Sequence, residues 1–300
     1  MTAVTVMPET ADGAADTVVL RAAGNPLRSL LGDGTALLGL AIVSGIMMAV
    51  ALAPWIAPSK PNAIVAPQFA APSRAHPFGA DHLGRDVLSR LLFGGRVSIG
   101  ATVVATVLMA LIGLVIGMAA GYFGGAVDAL VGRVIDVLVA FPSLLLSLVI
   151  TGALGVGLRN VVIGLVVVRW ASYARIVRAA VLGEREKAYV EAARSFGASD
   201  LRILRRHLLP NIVAPVVVLT SLDMGGILLS LAGLSFLGLG VRSPTAEWGS
   251  MLSEASAYIG LAPHLMWYPG GAILVFVLGF NLLGDGLRDV LDPRTRRSDQ

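Results

Sequence analysis

The feature that most restricts the fold of this chain is a series of long apolar runs that contain few or no charged residues. Each run is close to the ~20 residues that an α-helix needs to cross the ~30 Å hydrocarbon core of a bilayer. Charged residues make up only 14% of the chain, whereas soluble domains contain about 25%. Helices are the expected spanning elements, because they satisfy their own backbone hydrogen bonds. The sequence therefore predicts an all-α, multi-pass membrane protein.

Six of the apolar runs are predicted to span the membrane. The first ends in a proline-rich stretch, where a helix cannot continue, and a glycine pair marks the turn after the second. The predicted spans are 37–56, 97–122, 129–150, 161–181, 210–240 and 269–287.

The spans divide the chain into a transmembrane domain, 30–294, and two short tails. The amino-terminal segment 1–29 carries acidic residues and no basic residue before Arg21, so a secretory signal is not indicated and a disordered cytoplasmic tail is predicted. Residues 295–300 form a second predicted cytoplasmic tail. An outer loop, 57–96, and a cytoplasmic loop, 182–210, are the long connections inside the domain.

The distribution of basic residues predicts the orientation. With six spans both termini share a side, and that side holds the arginines of both tails and of the 182–210 loop. The two shorter loops opposite hold only Arg159 and Arg242, although the 57–96 loop holds five basic residues. Since its length of about 40 residues weakens the charge rule, we expect both termini and the 182–210 loop in the cytoplasm of a bacterial plasma membrane.

The end of the outer loop, 86–93, reads DVLSRLLF and places apolar residues at helical spacing with Asp86, Ser89 and Arg90 opposite. One interpretation is an amphipathic helix at the outer surface that shapes the mouth of a pathway. The other is a lead-in turn to the second span. The residue pattern supports both.

The cytoplasmic loop carries the most informative pattern. Residues 184–209 read EREKAYVEAARSFGASDLRILRRHLL, which predicts two short amphipathic helices separated at Gly197, a residue that permits a sharp reversal. The first presents small side chains beside Glu191. The second begins at a possible Ser199 cap and places Leu201, Leu204 and Leu208 opposite its arginines. A simple connection would need neither helix, so we predict a docking surface for another protein.

The spacing within this loop resembles the EAA loop of bacterial ABC-importer membrane subunits. It reads Glu191-Ala192-Ala193, three residues, Gly197, nine residues, His207, one residue, Leu209-Pro210, with His207 where the family has Ile. Three further stretches, HPFGADHLGRDVLSRLLFGGRVSIG, LSFLGLGVRSPTAEWGSML and FNLLGDGLRDVLDPR, resemble the dipeptide/oligopeptide/nickel importer permeases, specifically their C-type subunit. The resemblance covers about residues 30–294.

This resemblance implies a type I ABC-importer transmembrane domain with six transmembrane helices. It implies a second, homologous permease subunit, two ATPase subunits that bind ATP and Mg²⁺, and an extracytoplasmic substrate-binding protein. The loop would be the coupling helix that sits in a groove of the ATPase. The residues implied in coupling are Glu191, Ala192, Ala193, Arg194, Gly197, Asp200, His207, Leu209 and Pro210.

The chain lacks the phosphate-binding pattern of an ATPase. That pattern needs Gly-Lys followed by a hydroxyl residue, and neither Lys60 nor Lys187 follows a glycine. We therefore expect ATP hydrolysis on a separate polypeptide and no cofactor or nucleic acid on this chain. A passive channel, which needs no docking loop, and an intramembrane enzyme, whose catalytic residues we do not find, are less well supported.

Di- and oligopeptides are the expected substrates, and nickel or another small solute is the alternative. The chain has no cysteine, and its four histidines include no pair at i, i+4 on a helix. His76 and His82 share the outer loop, so a transient nickel or zinc contact stands there beside a purely structural role.

Two features lie inside the predicted spans. Asp223 sits in the middle of the fifth span, where an ionised group costs ~2.5–3.5 kcal/mol on insertion scales and so faces a cavity or a partner. It either lines the translocation route, where it would meet a substrate amine, or makes a structural hydrogen bond. Gly113, Gly117 and Gly121, four residues apart in the second span, predict close helix packing.

Overall fold

The computed structural model describes residues 33–291, so the predictions for the tails 1–29 and 295–300 lie outside the described residues. Within this part of the chain all named elements are helices, and no strand forms beyond two isolated bridges in the outer loop. The all-α prediction is confirmed. The elements are α1 Gly34–Ala51, α2 Ala53–Ile56, α3 Val87–Phe123, α4 Gly125–Ala140, α5 Ser143–Leu154, α6 Leu158–Arg185, α7 Ala188–Ser195, α8 Asp200–Ile203, a π-helical turn Leu204–Leu208, α9 Leu209–Phe236, α10 Trp248–Ser256 and α11 His264–Leu291.

Five helices of the described chain are long and apolar enough to cross a membrane, and the count reaches six when the α4–α5 pair is taken as one span. The predicted third span, 129–150, is not one uninterrupted helix, because α4 and α5 meet at 92°. The cause is Pro142. A residue before proline is pushed out of the helical region, and Phe141 is extended, with ψ 146°. The third span is therefore broken near its middle.

The outer-surface helix proposed for 86–93 does not form, because these residues are the first turns of α3. Asp86 caps the helix by accepting a hydrogen bond from the Ser89 backbone N–H at 2.7 Å. Ser89 and Arg90, the supposed water-facing side, are buried. The lead-in interpretation is confirmed, and the polar face packs inward because its charges have partners there.

Those partners form an ionic network between the outer loop and α10. Arg85 donates to Asp81 at 2.6 Å and to Glu254 at 2.8 Å, and Arg90 donates to the same Glu254 oxygen at 3.0 Å. Glu247 caps α10 through the backbone amides that follow it and accepts from the Ser98 hydroxyl at 2.9 Å. Buried charges are tolerated when they are paired and hydrogen-bonded, so the network fixes α10 against the outer end of α3.

The glycines of α3 pack against α6, as their spacing predicts. A Cβ added to Gly117 would lie 2.6 Å from the Ala174 carbonyl oxygen, and one at Gly121 would lie 2.8 Å from the Val181 Cβ. Only hydrogen fits between the two backbones at these points. The close packing brings the C-terminal ends of α3 and α6 together beneath the 182–210 loop.

Helix α9 begins at Leu209, one residue before the predicted start of the fifth span at Pro210, but it continues a helical segment that starts earlier. Helix is continuous from Asp200 to Phe236, with the π-helical turn just before the proline. In that turn the Leu209 N–H donates to the Leu204 carbonyl, an i→i+5 bond. Proline has no N–H and interrupts the regular helical ladder, and a π-helical turn is a common way to absorb such a break. The second loop helix is thus rigidly joined to α9.

Candidate functional site

The first helix of the 182–210 loop, α7, ends in a Schellman motif centred on Gly197. The Gly197 N–H donates to the Arg194 carbonyl and the Ala198 N–H to the Ala193 carbonyl, both at 3.0 Å. Gly197 has φ +78°, a left-handed conformation that glycine adopts without strain. The separation of the Glu191-Ala192-Ala193 triplet from Gly197 therefore has a physical meaning, because it positions the helix end and the reversal that follows.

The loop is anchored to the membrane helices by a buried apolar cluster. Val190 of α7, Ile203 of α8 and Leu208 of the π-helical turn are fully buried against Val177 and Val181 of α6. The assignment of Leu201 to the inner face is wrong, because Leu201 is 63% exposed and Ile203 takes the inward position. The predicted Ser199 cap is also wrong in detail, since Ser199 occupies the cap position without a side-chain cap bond.

A polar contact joins the loop to the end of α3. The Tyr122 hydroxyl donates to Asp200 Oδ1 at 2.6 Å, and the Arg194 guanidinium lies 5.9 Å from the centre of the Tyr122 ring. Tyr122 thereby contacts both halves of the loop, one on each side of Gly197. Pattern reasoning on the loop missed this residue, because it lies 78 positions from Asp200 with no local motif around it.

The outer surface of the loop is exposed and partly apolar. Phe196, beside the reversal, is 91% exposed, and Leu201 lies close behind it in sequence. Glu191, Ala192 and Arg194 are exposed as well. Next to them is a cleft of about 440 Å³ with polar walls, lined by Tyr122, Arg185, Glu186, Glu191 and Arg194. A nearly bare phenylalanine on a rigid, polar-rimmed loop is typical of a protein-docking surface.

His207, the departure from the family pattern, is half-buried beside Tyr189, with ring centroids 6.2 Å apart. Asn211 joins the two residues through its amide, which donates to the His207 carbonyl at 2.8 Å and to the Tyr189 hydroxyl at 3.1 Å. Partial burial, and then the carboxylate of Glu184, raise the pKa of the Tyr189 phenol. His207 thus contributes a packing contact at the edge of the loop.

The carboxylate at the start of the loop also binds a lysine. Glu184 accepts from Lys187 Nζ at 2.8 Å and raises the pKa of that ammonium group. The lysine therefore stays charged at neutral pH. Leu209 and Pro210 follow the π-helical turn and lie in the first turn of α9, where Leu209 is half-buried and Pro210 is exposed.

Asp223 has partners on α6. Its carboxylate forms an ion pair with Arg169 and accepts from the Tyr173 hydroxyl at 3.0 Å. Arg169 also donates to the Ser230 hydroxyl at 3.3 Å. The Arg169 and Asp223 side chains are 19% and 21% exposed. Sequence reasoning found Asp223 by its depth in an apolar run but missed Arg169, 54 residues away.

The histidines of the outer loop have contacts of their own. His76 Nδ1 lies 2.8 Å from Asp86 Oδ2, and the His82 ring stacks on Tyr258. Among the described residues, His82 also comes within metal-binding distance of Asp81 and Glu254. Both of those carboxylates are already bound by the arginines of the outer network, which supply the positive charge that a metal ion would bring. The arrangement is therefore best explained as structural.

Apolar helices with an anchored, exposed loop between the fourth and fifth spans define a multi-pass membrane protein. Comparison with known families makes this specific. The family described as "Binding-protein-dependent transport system inner membrane component" matches residues 113–297. This chain belongs to that family, and it is a permease component of the ABC transporter class.

Individual relatives are similar over most of the chain. The nickel transport system permease protein NikC of Escherichia coli K12 is 43% identical over 257 residues, 85% of this chain and 93% of NikC. The glutathione transport system permease protein GsiD of Pectobacterium atrosepticum is 44% identical over 225 residues, 75% of each chain. A protein of Brucella suis biovar 1 described as a peptide transport system permease is 45% identical over 260 residues, 86% of this chain and 88% of that protein.

Proposed function

We propose that this chain is a permease subunit of an ATP-driven importer of di- and oligopeptides across a bacterial plasma membrane. Two ATPase subunits would bind on the cytoplasmic side, a substrate-binding protein on the outer side, and a second homologous permease would complete the pathway. The observation that carries this proposal is the anchored loop 182–210, which exposes Phe196 and Leu201 at the end of a Schellman-capped helix.

The loop is built to transmit movement in both directions. Its first helix is fixed to α6 through Val190, and its second continues into α9 without a break. A displacement applied by a docked ATPase at Phe196 would therefore move α6 and α9 together. ATP hydrolysis on the partner would switch the access of the pathway between the two sides, and this chain would supply no catalytic group.

Peptide is the preferred substrate because two of the three relatives described above are named for a peptide or for glutathione, which is itself a tripeptide. Nickel is the second candidate, since NikC is equally similar. Asp223, with Arg169, is proposed to line the pathway, because the pair is partly exposed on the α6–α9 face.

The proposed orientation has both termini in the cytoplasm. The five basic residues of the 57–96 loop oppose this orientation by number alone, but Arg85 and Arg90 are buried in ion pairs with Asp81 and Glu254. Because these two arginines are neutralised by acidic partners, they count less when the basic residues on the two sides of the membrane are compared.

The test is uptake by proteoliposomes that contain both permeases and both ATPases, with the binding protein added outside. We expect accumulation of radiolabelled dialanine that requires ATP and the binding protein. Dialanine flux without ATP would indicate a channel and overturn the proposal. ATP-dependent uptake of nickel that excess dialanine does not reduce would instead identify nickel, the second candidate, as the substrate.

A further inference from the structure

A cavity of about 240 Å³ lies beside the break between α4 and α5. It is bounded by Phe141 and Ser143 at the break and by Arg169 and Ser172 of α6. Among its described lining residues, Arg169 is the one with a charged side chain, and Asp223 does not line it. The cavity therefore presents a guanidinium and two hydroxyls at the depth of the broken span.

The break requires that this side of the chain is covered by protein or faces water, and not lipid. Interrupted backbone at membrane depth is tolerated only where it is buried in protein or lines a water-filled space. Phe141 and Ser143 are exposed in this chain, as is Ser172. A surface of this polarity does not face lipid, because a charged side chain there is costly.

Arg169 is held in position but keeps capacity to bind. Asp223 and Ser230 take up part of its guanidinium on the α9 side, while a fifth of the side chain remains exposed. A guanidinium has five N–H donors in a planar fork that matches a carboxylate. Asp223 is thus the counter-ion of Arg169 on the side away from the cavity.

We propose that this cavity is a transit site for solutes that carry a carboxylate, with Arg169 as its binding group. The proposal rests on the import function above and narrows its substrate class. Arg169 is the charged side chain among the described lining residues, so this wall would attract the carboxylate of a peptide and offers no carboxylate to a free divalent cation. Ser143 and Ser172 add hydroxyl donors to the same wall.

The absence of cysteine from this chain allows a direct test. Ser172→Cys is made in the assembled transporter and treated with two water-soluble methanethiosulfonate reagents, one bearing a sulfonate and one a quaternary ammonium. Labelling of this chain is followed by mass spectrometry. The matched control is Ser256→Cys, at an exposed serine at the end of α10. It gives the ratio of the labelling rates of the two reagents at a site away from the cavity.

The expected result is that Ser172→Cys reacts, with a several-fold preference for the anionic reagent relative to the control. Adding Asp223→Asn increases that preference, adding Arg169→Gln reverses it, and the double replacement of both charges removes it. The double variant leaves no unpaired charge in the membrane, so it tests the idea even if a single variant does not fold. The proposal is overturned if the cysteine does not react, or if the preference for the anionic reagent is the same in all of these variants.

Protection from labelling identifies the solute. Millimolar dialanine is expected to slow labelling of Ser172→Cys, while dialanine amide and nickel chloride leave it unchanged. Equal protection by the acid and the amide, or protection by nickel chloride alone, refutes the carboxylate site. ATP-driven uptake is measured on the same preparation: if it fails with the unmodified chain, the import function itself is wrong, and if it succeeds without the labelling pattern, only this site is wrong.

Discussion

Replacement of Gly197 tests whether the Schellman motif sets the geometry of the docking loop. At φ +78° the left-handed conformation costs an L-residue roughly 1–2 kcal/mol, and a β-branched residue is the least suited to it. No atom lies within 4 Å of a Cβ built at this position, so the cost of Gly197→Val is conformational and not a steric clash. Asparagine tolerates the same conformation, which makes Gly197→Asn a control of similar bulk.

The expected loss of ATPase affinity follows from the two ways in which the loop can respond to valine at position 197. It either accepts the strain or gives up the two terminal hydrogen bonds, each worth about 0.5–1.5 kcal/mol. Either response destabilises the docked geometry by about 1–3 kcal/mol, which corresponds to roughly a 5–150-fold loss of affinity. We expect Gly197→Val to weaken ATPase binding by a factor in this range and Gly197→Asn to stay within a few-fold of the unmodified chain.

The assay is titration of the purified permease pair with labelled ATPase subunits, combined with the ratio of solute imported to ATP hydrolysed in proteoliposomes. Thermal unfolding of each variant is measured as well, because the exposed reversal should contribute little to overall stability. Normal binding and import by Gly197→Val would refute the conformational argument. Equal failure of Gly197→Asn would show that the partner needs the bare glycine surface instead.

Three further replacements test other parts of the structure. Tyr122→Phe removes the donor to Asp200 and is expected to lower the ratio of import to ATP hydrolysis several-fold while ATPase binding persists; an unchanged ratio would exclude a coupling role. Gly117→Ala places a Cβ 2.6 Å from a carbonyl of α6 and should lower the melting temperature by several degrees, whereas Gly132→Ala, with open space around it, should not; equal melting temperatures would contradict the packing. Phe196→Ser, at a 91% exposed position, should weaken ATPase binding about ten-fold or more with no loss of thermal stability, and a matching loss of stability would mean that Phe196 packs within the chain.

The sequence predicts the helices well because membrane insertion depends on local properties. The length and polarity of an apolar run decide whether it can span, and the glycine spacing of α3 decides how closely α6 can approach. The break at Pro142 had a visible signal, a proline inside the predicted third span. A proline alone does not predict a break, since prolines are tolerated within membrane helices when neighbours compensate.

The remaining features depend on contacts between distant parts of the chain. Arg169 and Asp223 lie 54 residues apart, and Arg90 and Glu254 lie 164 apart. No spacing rule relates such positions, so the sequence pattern around Arg90 does not show that this residue is buried. Inside the loop, helical periodicity predicts an apolar face but not its boundaries, so it does not show that Leu201 is exposed while Ile203 is buried.

The central claim is that the surface around Phe196 receives the ATPase. A cysteine-directed photo-crosslinker at Phe196→Cys in the assembled transporter tests it, with Trp267→Cys, also highly exposed but on α11, as the control. We predict a crosslink from position 196 to an ATPase subunit that changes in yield when ATP is added, and none from position 267. A crosslink from 196 only to the second permease, or no crosslink at all, would contradict the account.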